Sequence, residues 1–437
     1  MKRQTLSLAL AAALALSLLG GAALAAEAPE TEAPETEAPQ PPAEEYIPDP
    51  VGSITFGNLS RRMHESNLQV RSIQENIDIL EELDYDDLKD DLRVQLNEIA
   101  GAQWGLVVSS SALKDLSQLY PDQFEYSDYE YHSAYDQMDK AYNAVREQYD
   151  AIKEGDMQKN NADTVRQLKN LQNQIVMAGE TTYIALAAME LQQDGLERQL
   201  AALDRQITEL DLRYELGHIS SLTLKQARSG RASLNSGLAT LGMNLDVYKG
   251  QLELLIGAEI TGSISLGGLP AVSQEELDAM DLEKDLETAK ANSWALYEAA
   301  ETHKEAREKY NGYGGDYGQS YAADGDRAYT QARHTYYSAK YNYDNTVQNF
   351  ELGLRGLYLK VKDCRQILSA ARTALAVEQD NYAVAQLKQS QGTLSQNALL
   401  EAGDKLKEAR EKAAGAENDL FSAYNAYRWA VDYGILN

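Results

Sequence analysis

Apolar residues recur along this chain in alternating steps of four and three, the seam of a coiled coil. The row is longest from Leu196 through Leu200, Leu203, Ile207, Leu210 and Tyr214. It returns as Leu224, Ala227, Leu234, Leu238, Leu241, Leu245, Tyr248, Leu252 and Leu255, interrupted by Arg231. Between the arms lies Leu216-Gly217-His218-Ile219-Ser220-Ser221. Gly217 suits the left-handed position that ends a helix, and Ser220 or Ser221 can cap the next one. The pattern predicts a helical hairpin. Upstream, Val70, Ile73, Ile77 and Leu80 predict a helix from about Asn58 to Leu83, and Leu168, Ile175, Met189, Leu196 and Leu203 predict another from about Thr164 into the hairpin. Ile260, Ile264 and Leu266, set among glycines, predict a short irregular or strand-like segment.

The plan then recurs. A helix start near Asp281 echoes the one near Phe56, and Tyr329, Tyr336, Tyr343, Phe350, Leu357, Cys364 and Ala371 step by sevens. A second hairpin turns at Gln391-Gly392-Thr393-Leu394-Ser395 and leaves through Leu399, Ala402, Leu406, Ala409, Ala413, Ala416, Leu420, Ala423, Tyr427 and Ala430. The spacing of the two turns is a multiple of seven, so agreement of the heptad frames is partly automatic; the match of Gly392 and Ser395 to Gly217 and Ser220 is independent of it. Each repeat is expected to read helix, tyrosine-rich break, long helix, glycine turn, long helix. The expected fold is all-α: two tandem repeats of long antiparallel coiled-coil hairpins in an elongated rod, with little or no β-structure.

The breaks are the ambiguous parts. From Trp104 the chain is expected to turn irregular through Pro121, then to enter a helix whose seam holds Tyr131, Tyr135, Met138, Tyr142, Val145, Tyr149 and Ile152. The second break runs from Tyr310 to Gly325. Tyrosines at seam positions pack between helices with their hydroxyls reaching water. A tyrosine belt touching cell-wall glycan or a membrane interface is the weaker functional alternative.

Composition narrows the setting. Lys2 and Arg3, an apolar core from Leu6 to Leu19 and Ala23-Leu24-Ala25 have the form of a secretory signal peptide, expected over residues 1–26. Residues 27–50 follow as a Pro/Glu-rich disordered tether in which Glu-Ala-Pro-Glu-Thr occurs twice, then the helical repeats at 51–270 and 271–437. The protein is expected to be exported. Its single cysteine, Cys364, excludes an internal disulfide and sits on a seam as a small buried apolar residue. With 40 lysines and arginines against 68 acids, a net charge of −28 disfavours nucleic acid and anionic lipid. Asp84, Asp86, Asp87, Asp90 and Asp91 do not form an EF-hand, because the places for its glycine and glutamate hold Lys89 and Gln95. They read as a solvated helix junction. The five histidines, His64, His132, His218, His303 and His334, lack metal-ligand spacing, and no serine sits in a nucleophile elbow. No enzyme, metal or cofactor is expected.

Arg213, Tyr214, Gly217 and Ser220 form R-Y-x-x-G-x-x-S followed by an apolar heptad row, and with the two-repeat layout behind a signal peptide this resembles the TolC-type outer membrane efflux protein family. The second copy keeps Gly392 and Ser395 but has Gln389 in place of the tyrosine; Thr223 and Ala398 stand where the family has an acid. The resemblance implies a trimeric helical conduit, located at the outer membrane, that docks a periplasmic-type adaptor, the membrane fusion protein of an export pump. It assigns that docking to Leu216, Gly217, His218, Ser220, Gln391, Gly392, Thr393 and Ser395. The alternative for these residues is that glycine simply ends a helix. The family also places two amphipathic strands in each break, and the alternation such strands need is absent here. An exported coiled-coil scaffold or adhesin without a conduit, extracellular or bound to the cell wall, is therefore the competing function.

Overall fold

The computed structural model describes residues 49–315 and 327–436. The expected signal peptide, nearly all of the tether and the part of the second break from Asp316 to Gly325 lie outside them. The chain begins with a two-residue strand, β1 (Ser53–Ile54), then α1 (Phe56–Ser66) and α2 (Leu68–Glu81). These two replace the single helix expected over 58–83. Asn67 makes the break: its side-chain oxygen accepts the N–H groups of Gln69 and Val70 at 2.9 and 3.1 Å, capping α2, while its amide donates to the Leu255 carbonyl at 2.9 Å.

Next come α3 (Tyr85–Leu119) and α4 (Asp128–Glu154). Asp84 caps α3 by accepting from the N–H groups of Asp86 and Asp87, so the acid cluster is a helix start facing solvent. The irregular segment expected from Trp104 is confined to 120–127. Pro121 forbids helix only around itself, and the row Leu92, Leu96, Ile99, Gln103, Leu106 and Ser110 keeps a helical face turned inward past Trp104. Gly155, at φ +85°, ends α4, and α5 (Asp156–Glu215) starts directly after it rather than at Thr164. Its 60 residues span about 90 Å at the usual rise.

The remaining elements are α6 (Ser221–Leu255), β2 (Ser265–Leu266), α7 (Gln274–Ala279), α8 (Leu282–Asn292), α9 (Trp294–Gly312), α10 (Arg327–Ser390) and α11 (Gln396–Tyr433). The segment with Ile264 and Leu266 forms β2, which pairs parallel with β1, Ser53 opposite Ser265 and Ile54 opposite Leu266. Among the described residues this is the whole of the sheet, and the rest of the regular structure is helical. The all-α expectation holds.

Two compact units divide the chain, one of residues 75–166 and one of residues 48–74 and 167–437. The first contains the antiparallel pair α3 and α4. Ser110 and Tyr126 join hydroxyls at 3.2 Å near the connector, and Lys114 lies 3.6 Å from the Asp128 carboxylate. The seam tyrosines of α4, Tyr131, Tyr135, Tyr142 and Tyr149, are half-buried, as expected of rings wedged between helices.

The second unit holds two apolar cores. Leu59, Met63, Val176, Tyr183, Leu186, Leu241 and Leu252 centre the first, and Leu286, Phe350, Leu354, Val361, Leu420 and Tyr427 the second. Each such aliphatic side chain contributes about 1.5–3 kcal/mol by leaving water. Cys364 is buried in the second, and burial pushes its thiol up from the ordinary range. Tyr183 is fully buried, donates to the carbonyls of Gly267 (2.6 Å) and Ile54 (3.1 Å), and has its hydroxyl pushed up to about 12 by desolvation. It pins β1 and β2 to α5.

Where α9 meets α10 the packing is aromatic. His303 stacks on Tyr343 and Tyr336 at 5.8 and 5.5 Å, Tyr336 stacks on Tyr310 at 5.2 Å, and Tyr310 meets Tyr329 at 5.9 Å. Rings seven apart on α9 thus interleave with rings seven apart on α10. His303 read as a scattered residue in the sequence; its spacing to Tyr310 is the sign that it belongs to this ladder.

Candidate functional site

The two glycine turns make the same set of backbone hydrogen bonds. Gly217 has φ +75° and Gly392 φ +72°. His218 N–H reaches back to the Arg213 carbonyl at 2.8 Å and Thr393 N–H to the Lys388 carbonyl at 2.9 Å, the six-to-one bond of a Schellman ending. Gly217 and Gly392 donate to Tyr214 and Gln389 at 2.9 Å each. Ser220 then caps α6 by accepting from Thr223 N–H, and Ser395 caps α11 by accepting from Ala398 N–H, both serines at ψ near 155°. Thr223 and Ala398 need only a backbone N–H for this.

Leu216, Gly217, His218, Ser220, Gln391, Gly392, Thr393 and Ser395 are all exposed, while Ile219 and Leu394, the residues between, are half-buried and seat each turn on its own hairpin. Neither glycine has any atom within 4 Å of where a β-carbon would stand. Thr393 adds a bond that His218 does not make, its hydroxyl donating to the Lys388 carbonyl at 2.9 Å.

Ion pairs set the register of the arms. Across the first hairpin Asp211 meets Arg228 at 2.8 Å and Asp204 meets Arg231, so the arginine that interrupts the apolar row has its partner on the facing arm. Across the second, Arg372 meets Glu417 at 2.8 Å. The hairpins are joined to each other by α5 and α11. Trp429 and Asn425 donate to the buried Glu180 at 2.6 and 2.8 Å, Arg198 grips Glu411 through two bonds of 2.8 and 2.9 Å, and Arg205 pairs with Asp404. Seven residues forward from Arg198 is Arg205, and seven back from Glu411 is Asp404. Twelve more in the same two directions reach Gly217 and Gly392. The antiparallel register therefore brings the two turns level, at one end of the paired hairpins.

An apolar rim around the turns lies off the seam, and apart from Leu216 its leucines were not singled out in the sequence. Leu212, Leu216 and Leu222 surround the first turn and Leu387 and Leu400 the second, all exposed. Tyr214 belongs with them: expected on the seam, it is 44% exposed, because α5 ends one residue later and no helix continues over it. Among the described residues no group of His, Cys, Asp or Glu is placed to hold a metal, and no helix is long and apolar enough to cross a membrane.

Neither a protein-family model nor a curated protein sequence matches the chain. Among solved structures it is similar to the outer membrane protein VceC from Vibrio cholerae, at 13% identity over 86% of this chain and 96% of that one, TM-score 0.46. It is similar also to the outer-membrane channel OprN, at 12% identity over 86% and 90%, TM-score 0.49. The Campylobacter jejuni CmeC outer membrane channel aligns at 16% identity over 67% and 68%, TM-score 0.44. All three TM-scores fall below 0.5.

Proposed function

We propose that the protein is an exported, TolC-like component of an export system, whose copies close into a helical conduit and whose glycine turns receive the helical hairpin of an adaptor. The observation that carries this is a second apolar stripe on α6 and α10. Residues two apart on a helix point about 200° apart. On α10 buried Leu354 and Val361 alternate with Leu352 (71% exposed) and Leu359 (64%), and Tyr341, Val377 and Val384 continue the open line. On α6 buried Leu241, Leu245 and Leu252 alternate in the same way with Met243, Val247 and Leu254, each about 60% exposed.

A helix with one apolar face serves one neighbour; two opposed faces call for two. Hydrogen bonds and ion pairs link α6 to α5, α5 to α11 and α11 to α10, so the open stripes lie on the outer members of the row. Pairing α6 of one copy with α10 of the next satisfies both and, repeated around an axis, closes. Three copies, the number the resemblance implies, set six level turns around that axis. A glycine tip exposes backbone and short side chains, and the leucines of the rim supply apolar contact for an incoming hairpin. In this reading the protein is neither an enzyme nor cofactor-bound, and it works in the cell envelope, the outer membrane being the site the family role implies. The helical pair α3 and α4, standing where the family has strands, favours the second reading, an exported coiled-coil scaffold or adhesin.

Solution mass decides between them. The mature protein is expected to be an oligomer that Val247→Glu or Leu359→Glu converts to monomer at unchanged helicity; a wild-type monomer over a wide concentration range rejects the conduit. Docking has its own test. His218→Glu with Thr393→Glu is expected to leave mass and helicity intact and to abolish binding of an adaptor hairpin, and retained binding rejects the turns as the docking site.

A further inference from the structure

The outer helices of the row, α6 and α10, carry charges without a partner among the described residues. On α6, Lys225 and Asp246 are exposed and unpaired, whereas the other bases of that helix, Arg228, Arg231 and Lys249, meet Asp211, Asp204 and Glu190 of α5. On α10, Asp380 is exposed and unpaired, and Lys362 lies over the ring of Tyr358, 4.4 Å from its centroid, without reaching a carboxylate. All four stand along the open apolar lines. Lys225 is 18 residues, five full turns, before Met243, and Asp246 is three after it; Lys362 is three after Leu359, and Asp380 four before Val384. Measured from the turns the two rows match. Lys225 is 8 residues from Gly217 and Asp246 is 29, while Asp380 is 12 from Gly392 and Lys362 is 30. On α6 the base is nearer the turn and the acid farther away; on α10 the order is reversed.

We propose that these charges choose the partner and fix the register where two copies of the chain meet: Lys225 pairs with Asp380 of the next copy, and Asp246 with its Lys362. The proposal rests on the ring reading of the open stripes. With the turns level, α6 of one copy runs antiparallel to α10 of the next, so residues equally far from their turns come together. The offsets of four residues and of one, about 6 and 1.5 Å along the axis, lie within the reach of a lysine's flexible stem. Apolar stripes alone specify little, since one leucine meets another equally well a heptad away. A slip of seven residues parts both ion pairs by about 10 Å. Pairing like helices is worse, because α6 against α6 in parallel copies sets Lys225 on Lys225 and Asp246 on Asp246, and α10 against α10 does the same with Asp380 and Lys362. The charges thus favour a head-to-tail contact, the kind that closes a ring, over a two-fold one. Asp363, exposed on the other flank of α10, has Lys360 one turn away on that side.

Charge reversal in the mature protein tests this, read as the dissociation constant of self-association at low ionic strength. Lys225→Glu and Asp380→Lys are each expected to weaken association about tenfold at unchanged helicity, because reversal replaces attraction by repulsion at every contact of the ring. Together they are expected to restore it to within about threefold of wild type. Asp246→Lys and Lys362→Glu are expected to repeat the pattern. Net charge cannot imitate this result, since Lys225→Glu makes the chain more acidic and Asp380→Lys less, and general repulsion would move the two in opposite directions. Nor can the rescue arise within one chain, because α5 and α11 lie between α6 and α10. Single reversals that leave the oligomer unchanged, or a double reversal no tighter than the singles, overturn the ion pairs; if Leu359→Glu still dissociates that oligomer, the ring stands without them. A single reversal that tightens association puts like helices together and overturns both. A wild-type monomer overturns the ring and the ion pairs with it.

Discussion

In each repeat one left-handed glycine sits at the hairpin turn and another at the end of the returning arm, and the two kinds are there for different reasons. At the turns, Gly217 and Gly392 face open space. At the ends of the returning arms, Gly257 and Gly434, both at φ +64°, are pressed against the α1–α2 break and the α8–α9 break respectively. A β-carbon on Gly257 would come 2.7 Å from the Ser66 backbone, and one on Gly434 2.3 Å from that of Ser293. The amides of Asn67 and Asn292 close the same junctions, donating to the Leu255 carbonyl and to the carbonyls of Val431 and Asp432. Conformation alone requires glycine at the turns; conformation and close packing both require it at the junctions. A repeat thus has one sealed end and one end whose backbone remains available to a partner.

The largest test of that contrast is Gly434→Ala. Left-handed strain and overlap with the Ser293 backbone add, and the expected loss is about 3 kcal/mol or more, read by denaturant melting. A loss near that of a turn glycine would mean that the junction is not sealed. Glu253 tests the same end of repeat 1. Burial pushes its carboxyl up, but the N–H groups of Thr261, Gly262, Ser263 and Ile264 and the Thr261 hydroxyl all donate to it and hold it below the usual carboxylate range. Its contribution is therefore present above the unfolded value of about 4.5 and lost as pH falls through the lower folded one. Glu253→Gln is expected to cost about 2 kcal/mol at neutral pH and to flatten the acid limb of a stability-against-pH curve; an unchanged limb would remove Glu253 from the junction. The smallest effect is at the tips. Gly217→Ala and Gly392→Ala are each expected to cost about 1 kcal/mol, and a difference beyond about 0.5 kcal/mol between them would break the equivalence of the two turns.

The tips and arms were legible because their causes are local. Gly217 with Ser220 and Gly392 with Ser395 specify turns from a few residues, and all the seam positions from Leu406 to Ala430 are buried as the heptad row requires. What the row did not reveal depends on partners distant in sequence. Asn67 breaks a periodic helix because of a carbonyl 188 residues away. The apolar run around Trp104 read as irregular because its glycines and serines are weak helix formers, and only the facing α4 makes them helical. The rim leucines and the open stripes of α6 and α10 fall off the seam, where a search for one apolar face per helix passes over them.

The seam between α5 and α11 has a kinetic consequence. Within a hairpin, Arg228 reaches Asp211 across 17 residues and Arg372 reaches Glu417 across 45, whereas Arg198 and Glu411 are 213 apart and Glu180 and Trp429 are 249 apart. Closing the longer loops sacrifices more chain entropy and comes later in folding. The hairpins are thus expected to zip independently, the first during synthesis. α5 then keeps Arg198, Arg205 and Glu180 unpaired until the last forty residues of the chain have been made.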